Sequence, residues 1–161
     1  MMTTNPLTIT APEGQPLIEI VREFDAPPAL VYRAHEDPAL VARWLGPHGY
    51  EMRTEAWDLR PGGRYRYEHL DGQGNAYAFN GVFHDAVPGE RITQTFEFEG
   101  APGVVSLETM TFEALDGDRC RLVGRSVWPS VESRDAMIAN GMERGVREGF
   151  ERLDALVRDA G

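Results

Sequence analysis

The sequence predicts an α+β fold: a strongly curved seven-stranded antiparallel sheet, two short helices after its first strand, and one long helix at the end, lying in the sheet's concavity. Three observations predict it. Residues 50–128 alternate apolar and polar side chains with period two, between turn-rich punctuation. Two proline-started segments separate that block from the first strand. From Val131 to Asp159 there is no proline, and apolar residues recur at helical spacing through Met137, Ile138, Met142, Val146, Phe150, Leu153 and Val157. A sheet with one apolar face and a helix with one apolar stripe bury those surfaces only against each other.

Taken in order, residues 1–15 form a polar leader, and residues 16–161 form one domain. Leu17 to Phe24 reads as the first strand, with Ile18 and Ile20 set against Glu19 and Val21. Asp25-Ala26-Pro27-Pro28 starts a helix over Ala29 to His35, because proline in a first turn lacks only an N–H that would have had no partner. Asp37-Pro38 repeats the signal for Ala39 to Leu45, with Leu40, Val41 and Trp44 on one side and Gly46-Pro47 as the stop. Six strands follow between Pro61-Gly62-Gly63, Asp71-Gly72-Gln73-Gly74, Pro88-Gly89, Gly100-Ala101-Pro102-Gly103 and Asp116-Gly117-Asp118. Tyr65, Tyr67 and His69 share one parity, as do Tyr77, Phe79, Gly81 and Phe83, then Ile92, Gln94, Phe96 and Phe98, then Met110 and Phe112, then Cys120 and Leu122. These short, turn-joined strands make a meander with one solvated face.

Composition narrows the function. The 161 residues carry 26 acidic and 16 basic side chains, a net charge of −10, and every basic residue is Arg. An acidic surface repels phosphate backbones and anionic headgroups, so neither nucleic acid nor a membrane surface is an expected partner. Without lysine there is no Schiff-base chemistry. Apolar runs fall far short of the ~18 residues of a membrane span. Cys120 stands alone, and the polar start lacks a secretory layout, so a cytoplasmic location is expected.

In this order and spacing, the chain resembles a known family. The residues that carry the likeness are Arg22-Glu23-Phe24-Asp25-Ala26-Pro27, Asp37-Pro38-Ala39-Leu40 leading into Trp44-Leu45-Gly46-Pro47, and Asp58-Leu59-Arg60-Pro61-Gly62-Gly63. Gly81-Val82-Phe83, Pro88-Gly89-Glu90-Arg91-Ile92 and Gly141-Met142-Glu143-Arg144-Gly145 complete it. The family is AHSA, homologues of the activator of the heat-shock protein 90 ATPase, within the START-like or SRPBCC helix-grip superfamily. The resemblance spans about residues 17–158. It implies a sheet gripping the last helix around an interior cavity, which relatives use to hold lipids, polyketides, hormones or other apolar molecules. It does not imply one reaction: some members catalyse cyclisation, others carry or sense ligands, and the namesake co-chaperone binds its client ATPase. Function must therefore come from the site.

No metal-binding, nucleophile-elbow or phosphate-loop motif is present, and no cofactor is implied. His35, His48, His69 and His84 are dispersed; His69 shares the inward parity of Tyr65 and Tyr67 and is the acid/base candidate among the four. Cys120 reads as buried and structural, and Asp58 with Arg60 as an ion pair bracing a turn. The aromatic face is the functional clue. Tyr65, Tyr67, Tyr77, Phe79 and Phe83 form either a dry core or a cavity wall, and the three hydroxyls need partners when buried. Trp44, Phe96 and Met110 extend that wall as candidate ligand contacts. Gly141, Gly145 and Gly149 align on one face of the last helix with Met137, so they either approach a neighbour closely or leave volume for a ligand. Met137 and Met142 suit an adaptable wall.

The expected function is binding of an apolar small molecule, with Met137, Gly141 and Gly145 facing the rings. The alternatives are a cyclase- or hydrolase-like enzyme using His69 or a pocket tyrosine, and a co-chaperone-like interaction protein. A homodimer through a sheet edge, or through an exposed Trp57 or Trp128, is a further expectation.

Overall fold

The computed structural model describes residues 5–160. The predicted Met1 to Thr4 part of the leader lies outside them. Strands β1 (Leu7–Thr10), β2 (Leu17–Phe24), β3 (Glu51–Trp57), β4 (Arg64–Leu70), β5 (Ala76–Val87), β6 (Arg91–Phe98), β7 (Val105–Leu115) and β8 (Arg119–Val127) form one antiparallel sheet, ordered β1-β2-β8-β7-β6-β5-β4-β3. Helices α1 (Pro28–Glu36) and α2 (Pro38–Trp44) follow β2, and α3 (Val131–Ala139) and α4 (Met142–Ala160) close the chain.

Two expectations are corrected. The sheet has eight strands rather than seven, because Leu7-Thr-Ile-Thr within the leader alternates for four residues and pairs with β2, Leu7 opposite Arg22 and Ile9 opposite Ile20. The closing helix is two helices. Gly141 adopts φ +84°, a left-handed conformation that ends α3 after Asn140 and restarts the chain as α4. Gly141 is therefore a hinge between helices and pays no mid-helix penalty.

Local chemistry explains the helix starts. Pro28 and Pro38 occupy first-turn positions, and the Asp37 carboxylate accepts from the Ala39 N–H at 3.0 Å. Ser130 and Ser133 form a reciprocal capping box at the start of α3. That short helix is held to the sheet by the buried Arg134, whose guanidinium donates to the Pro12 and Leu17 carbonyls at 2.9 and 3.0 Å.

One core cluster runs from α1 and the C-terminal half of α4 over β2, β7 and β8, through Phe24, Val31, Tyr32, Leu122, Leu153 and Val157, to Tyr65, Tyr67 and Phe83 on β4 and β5. The backbone of α4 runs close to α1, α2, α3 and, within the sheet, β2. Cys120 is fully buried there, and burial pushes its thiol up to about 11, which makes it inert. Asp58 and Arg60 form the turn ion pair at 2.7 Å.

Candidate functional site

Beside the Tyr65, Tyr67 and Phe83 end of that core, the curved sheet and the α3–α4 elbow line a partly open cavity of about 690 Å³. This volume accommodates a drug-sized molecule. All the predicted wall residues reach it: Trp44 from α2, Tyr65 and Tyr67 from β4, Tyr77, Phe79 and Phe83 from β5, Phe96 from β6, Met110 from β7. Met137, Gly141 and Gly145 face them from the helical side. The alternation that put these rings on one parity therefore brings them together in space.

The aromatic wall is continuous. Tyr65 stacks on Tyr67 with centroids 6.2 Å apart, Tyr67 on Phe79 at 5.2 Å, and Phe79 on Phe96 at 5.5 Å. Glycine makes room for it: a Cβ on Gly81 would stand 2.6 Å from the Tyr65 hydroxyl and 2.0 Å from the Thr95 carbonyl. Of the two tryptophans expected to be exposed, Trp128 is buried and Trp57 is half-buried. Both line the cavity, the Trp57 indole donating to the His35 carbonyl at 2.8 Å and the Trp128 indole to the Ser126 hydroxyl at 3.1 Å.

The three glycines of the last segment have three different roles. Gly141 bends the chain. A Cβ on Gly145 would meet only Pro47 Cδ, at 3.7 Å, so this position opens onto the cavity. On Gly149 it would press on the Trp44 carbonyl at 3.1 Å and the Gly46 backbone at 3.4 Å, where α4 crosses the end of α2.

His69 is buried on the cavity wall, with burial holding its imidazole below the ordinary value and therefore neutral. Its Nε2 has no hydrogen-bond partner and no exposed surface, because the ring lies against Gly46, where a Cβ would come within 2.7 Å. That nitrogen does not reach a molecule in the cavity. His35, also on the wall, donates from Nδ1 to the Val31 carbonyl at 2.8 Å, and burial pushes it down to about 4.

The polar feature that sequence reasoning missed is Glu108. It projects from β7 into the cavity, two residues before Met110 and on the same parity. Gln94 Nε2 donates to Glu108 Oε1 at 3.2 Å and lies 3.3 Å from the Tyr65 hydroxyl, which gives its own proton to the Thr95 carbonyl at 2.6 Å. Desolvation outweighs the Gln94 hydrogen bond and pushes the Glu108 carboxyl up to about 7. The signal was in the sequence, since Glu108, Met110 and Phe112 alternate with Thr109 and Thr111.

Comparison with known proteins fits this geometry. The family model described as activator of Hsp90 ATPase homolog 1-like protein (AHSA1) matches residues 25–158. The chain belongs to the AHSA1 family. A Chromobacterium violaceum protein is 32% identical over 89% of this chain and 97% of its own, with a TM-score of 0.79. An Arthrobacter aurescens protein is 27% identical over 94% and 91%, with a TM-score of 0.85. A Mycobacterium smegmatis protein shares the fold at 24% identity, covering 94% and 97%, also with a TM-score of 0.85. No protein of curated function matches the chain. Among the described residues of this AHSA1 member, no helix is long and apolar enough to cross a membrane.

Proposed function

We propose that this AHSA1-family chain is a small-molecule-binding protein, taking up an apolar ligand between the aromatic wall of the sheet and the α3–α4 elbow. The observation that carries the reading is the cavity itself: about 690 Å³, walled by aromatic rings, with a few polar groups gathered around Glu108. Concave, mostly apolar pockets with few convergent polar groups are the usual form of ligand sites. Binding is preferred to turnover because His69 Nε2 is buried without a partner, burial raises the phenols of Tyr65 and Tyr67 out of the range of a base near neutral pH, and Cys120 lies in the core away from the cavity lining.

The test is native mass spectrometry of freshly purified protein together with titration of a fluorescent apolar probe. One probe per chain is expected, and Gly145→Phe, which sends a ring into the void, removes it while leaving the circular dichroism spectrum intact. Equal binding by the filled variant would put the probe elsewhere and end this reading.

A further inference from the structure

We infer that the polar wall of the cavity receives the ammonium end of an apolar amine, its nitrogen against the open oxygen of Glu108 and its hydrocarbon body along the tyrosine and phenylalanine rings. The inference rests on the binding reading above and adds the chemical class of the ligand.

Hydrogen-bond accounting around Glu108 is the starting point. Its Oε1 takes one donor, the Gln94 amide, at 3.2 Å. Tyr65, the phenol within reach of Gln94, has its single proton committed to the Thr95 carbonyl at 2.6 Å and serves Gln94 only as an acceptor. The flanking register partners are Gln94 on β6 and Ser126 on β8, both uncharged. No hydrogen bond from a described residue reaches the second carboxylate oxygen.

Charge accounting points the same way. Glu108 faces Tyr65 and Tyr67 from β4, and its field helps raise both phenols, so they stay protonated and neutral. His35 from α1 and His69 from β4 are held neutral by burial. From α3 and α4 the lining consists of Met137, Asn140, Gly141, Met142 and their apolar or glycine neighbours. None of the arginines lines the void. A half-buried carboxylate among rings therefore has no counter-charge on the cavity wall, and a charge withdrawn from water without one is costly. An ammonium group supplies both the missing donors and the missing charge, and the ring faces attract the same cation. A hydroxyl would fill the open oxygen but leave the charge; a carboxylate ligand would be repelled.

Three probes of one chain length decide it: nonylamine, 1-nonanol and nonanoate, titrated calorimetrically into the full chain and into Glu108→Gln. The amine is expected to bind about tenfold tighter than the alcohol at pH 8, and Glu108→Gln to erase the difference. Between pH 6 and pH 8 the amine, itself charged throughout, should gain about tenfold as Glu108 passes to its ionised, binding-competent form, while the alcohol stays level. If the alcohol matches the amine, or nonanoate binds tightest, the inference fails and the binding proposal stands. If none of the three binds, both fail. Should Glu108→Gln not fold, the pH series on the unaltered chain decides alone.

Discussion

The two halves of α4 are built to opposite ends. In its C-terminal half, Leu153, Asp154 and Val157 are at most 2% exposed and lock against α1 and β2. In its N-terminal half, Met142, Gly145 and Val146 are half-buried and look onto empty volume. One helix therefore carries both the anchor of the fold and the roof of the cavity. A hollow interior forfeits dispersion contacts on one side of every lining residue, so the molecule must be secured elsewhere. Here the security comes from the solid half.

The largest effect should come from breaking that anchor. Asp154 accepts from Arg22 and Arg158 at 3.2 Å, from the Asn5 amide at 2.8 Å and from the Asp25 N–H at 3.2 Å, joining α4 to the leader, β2 and the turn before α1. Arg22 and Asp154 are both 3% exposed at their side chains. Asp154→Ala leaves a buried guanidinium without its partner and should cost about 3–5 kcal/mol in urea unfolding. A loss below about 1 kcal/mol, the range of exposed pairs, would mean that the solid half does not hold the molecule.

In the hollow half, the expected change is stabilising. The Glu108 carboxyl has an ordinary value of 4.5 and stands at about 7 in the fold, so the folded chain keeps its proton longer than the unfolded chain does. Stability therefore falls as pH rises from about 4.5 to about 7, by about 3 kcal/mol in all, and is level above. His35 acts in the other direction: lowered from 6.5 to about 4, it withdraws stability as pH drops through that window. His69, lowered from the same 6.5 by its own burial, acts in the same sense as His35, so between about pH 4.5 and 6.5 the two histidines oppose Glu108. Glu108→Gln should uncover the slope of His35 and His69 and be more stable than the parent by about 3 kcal/mol at pH 8, with the gap closing towards pH 4.5. Urea titrations across that range measure it; a gap independent of pH would show that Glu108 is not desolvated by its surroundings.

How legible these halves were in the sequence follows from which signals were local. Seven strands and the inward set of rings came from alternation, and α1 and α2 from their proline and aspartate starts. The extra strand was hidden because four alternating residues inside a polar leader carry little pattern of their own; pairing with β2 makes them a strand. The α3–α4 break was hidden because Met137, Met142 and Val146 keep helical spacing across it, and only the backbone angle of Gly141 marks the turn. Glu108 was passed over because a glutamate in a strand is ordinarily solvent-facing, although its parity pointed inward. The void itself depends on how far α4 stands from β4–β7, a distance set by tertiary packing that no residue type encodes.

The smallest effects give the sharpest contrast, because they compare one substitution at two positions one turn apart. Alanine for glycine inside a helix is worth about 0.8–1 kcal/mol from backbone entropy alone. At Gly145 the new methyl meets only Pro47 Cδ at 3.7 Å, an ordinary contact, so Gly145→Ala should keep nearly the whole gain. At Gly149 it meets the Trp44 carbonyl at 3.1 Å, with Gly46 backbone at 3.4 Å. Neither can swing aside as a side chain would, and Gly46 is further fixed by its own φ of +98° and by the His69 ring against it. Overpacking of this kind costs about 1–3 kcal/mol, enough to cancel the entropy gain and reverse it. Thermal unfolding of the two variants should therefore shift in opposite directions, Gly145→Ala upward and Gly149→Ala downward. If both rise, α4 is not pinned at its crossing with α2, and the boundary between the solid and hollow halves lies nearer the C-terminus than residue 149.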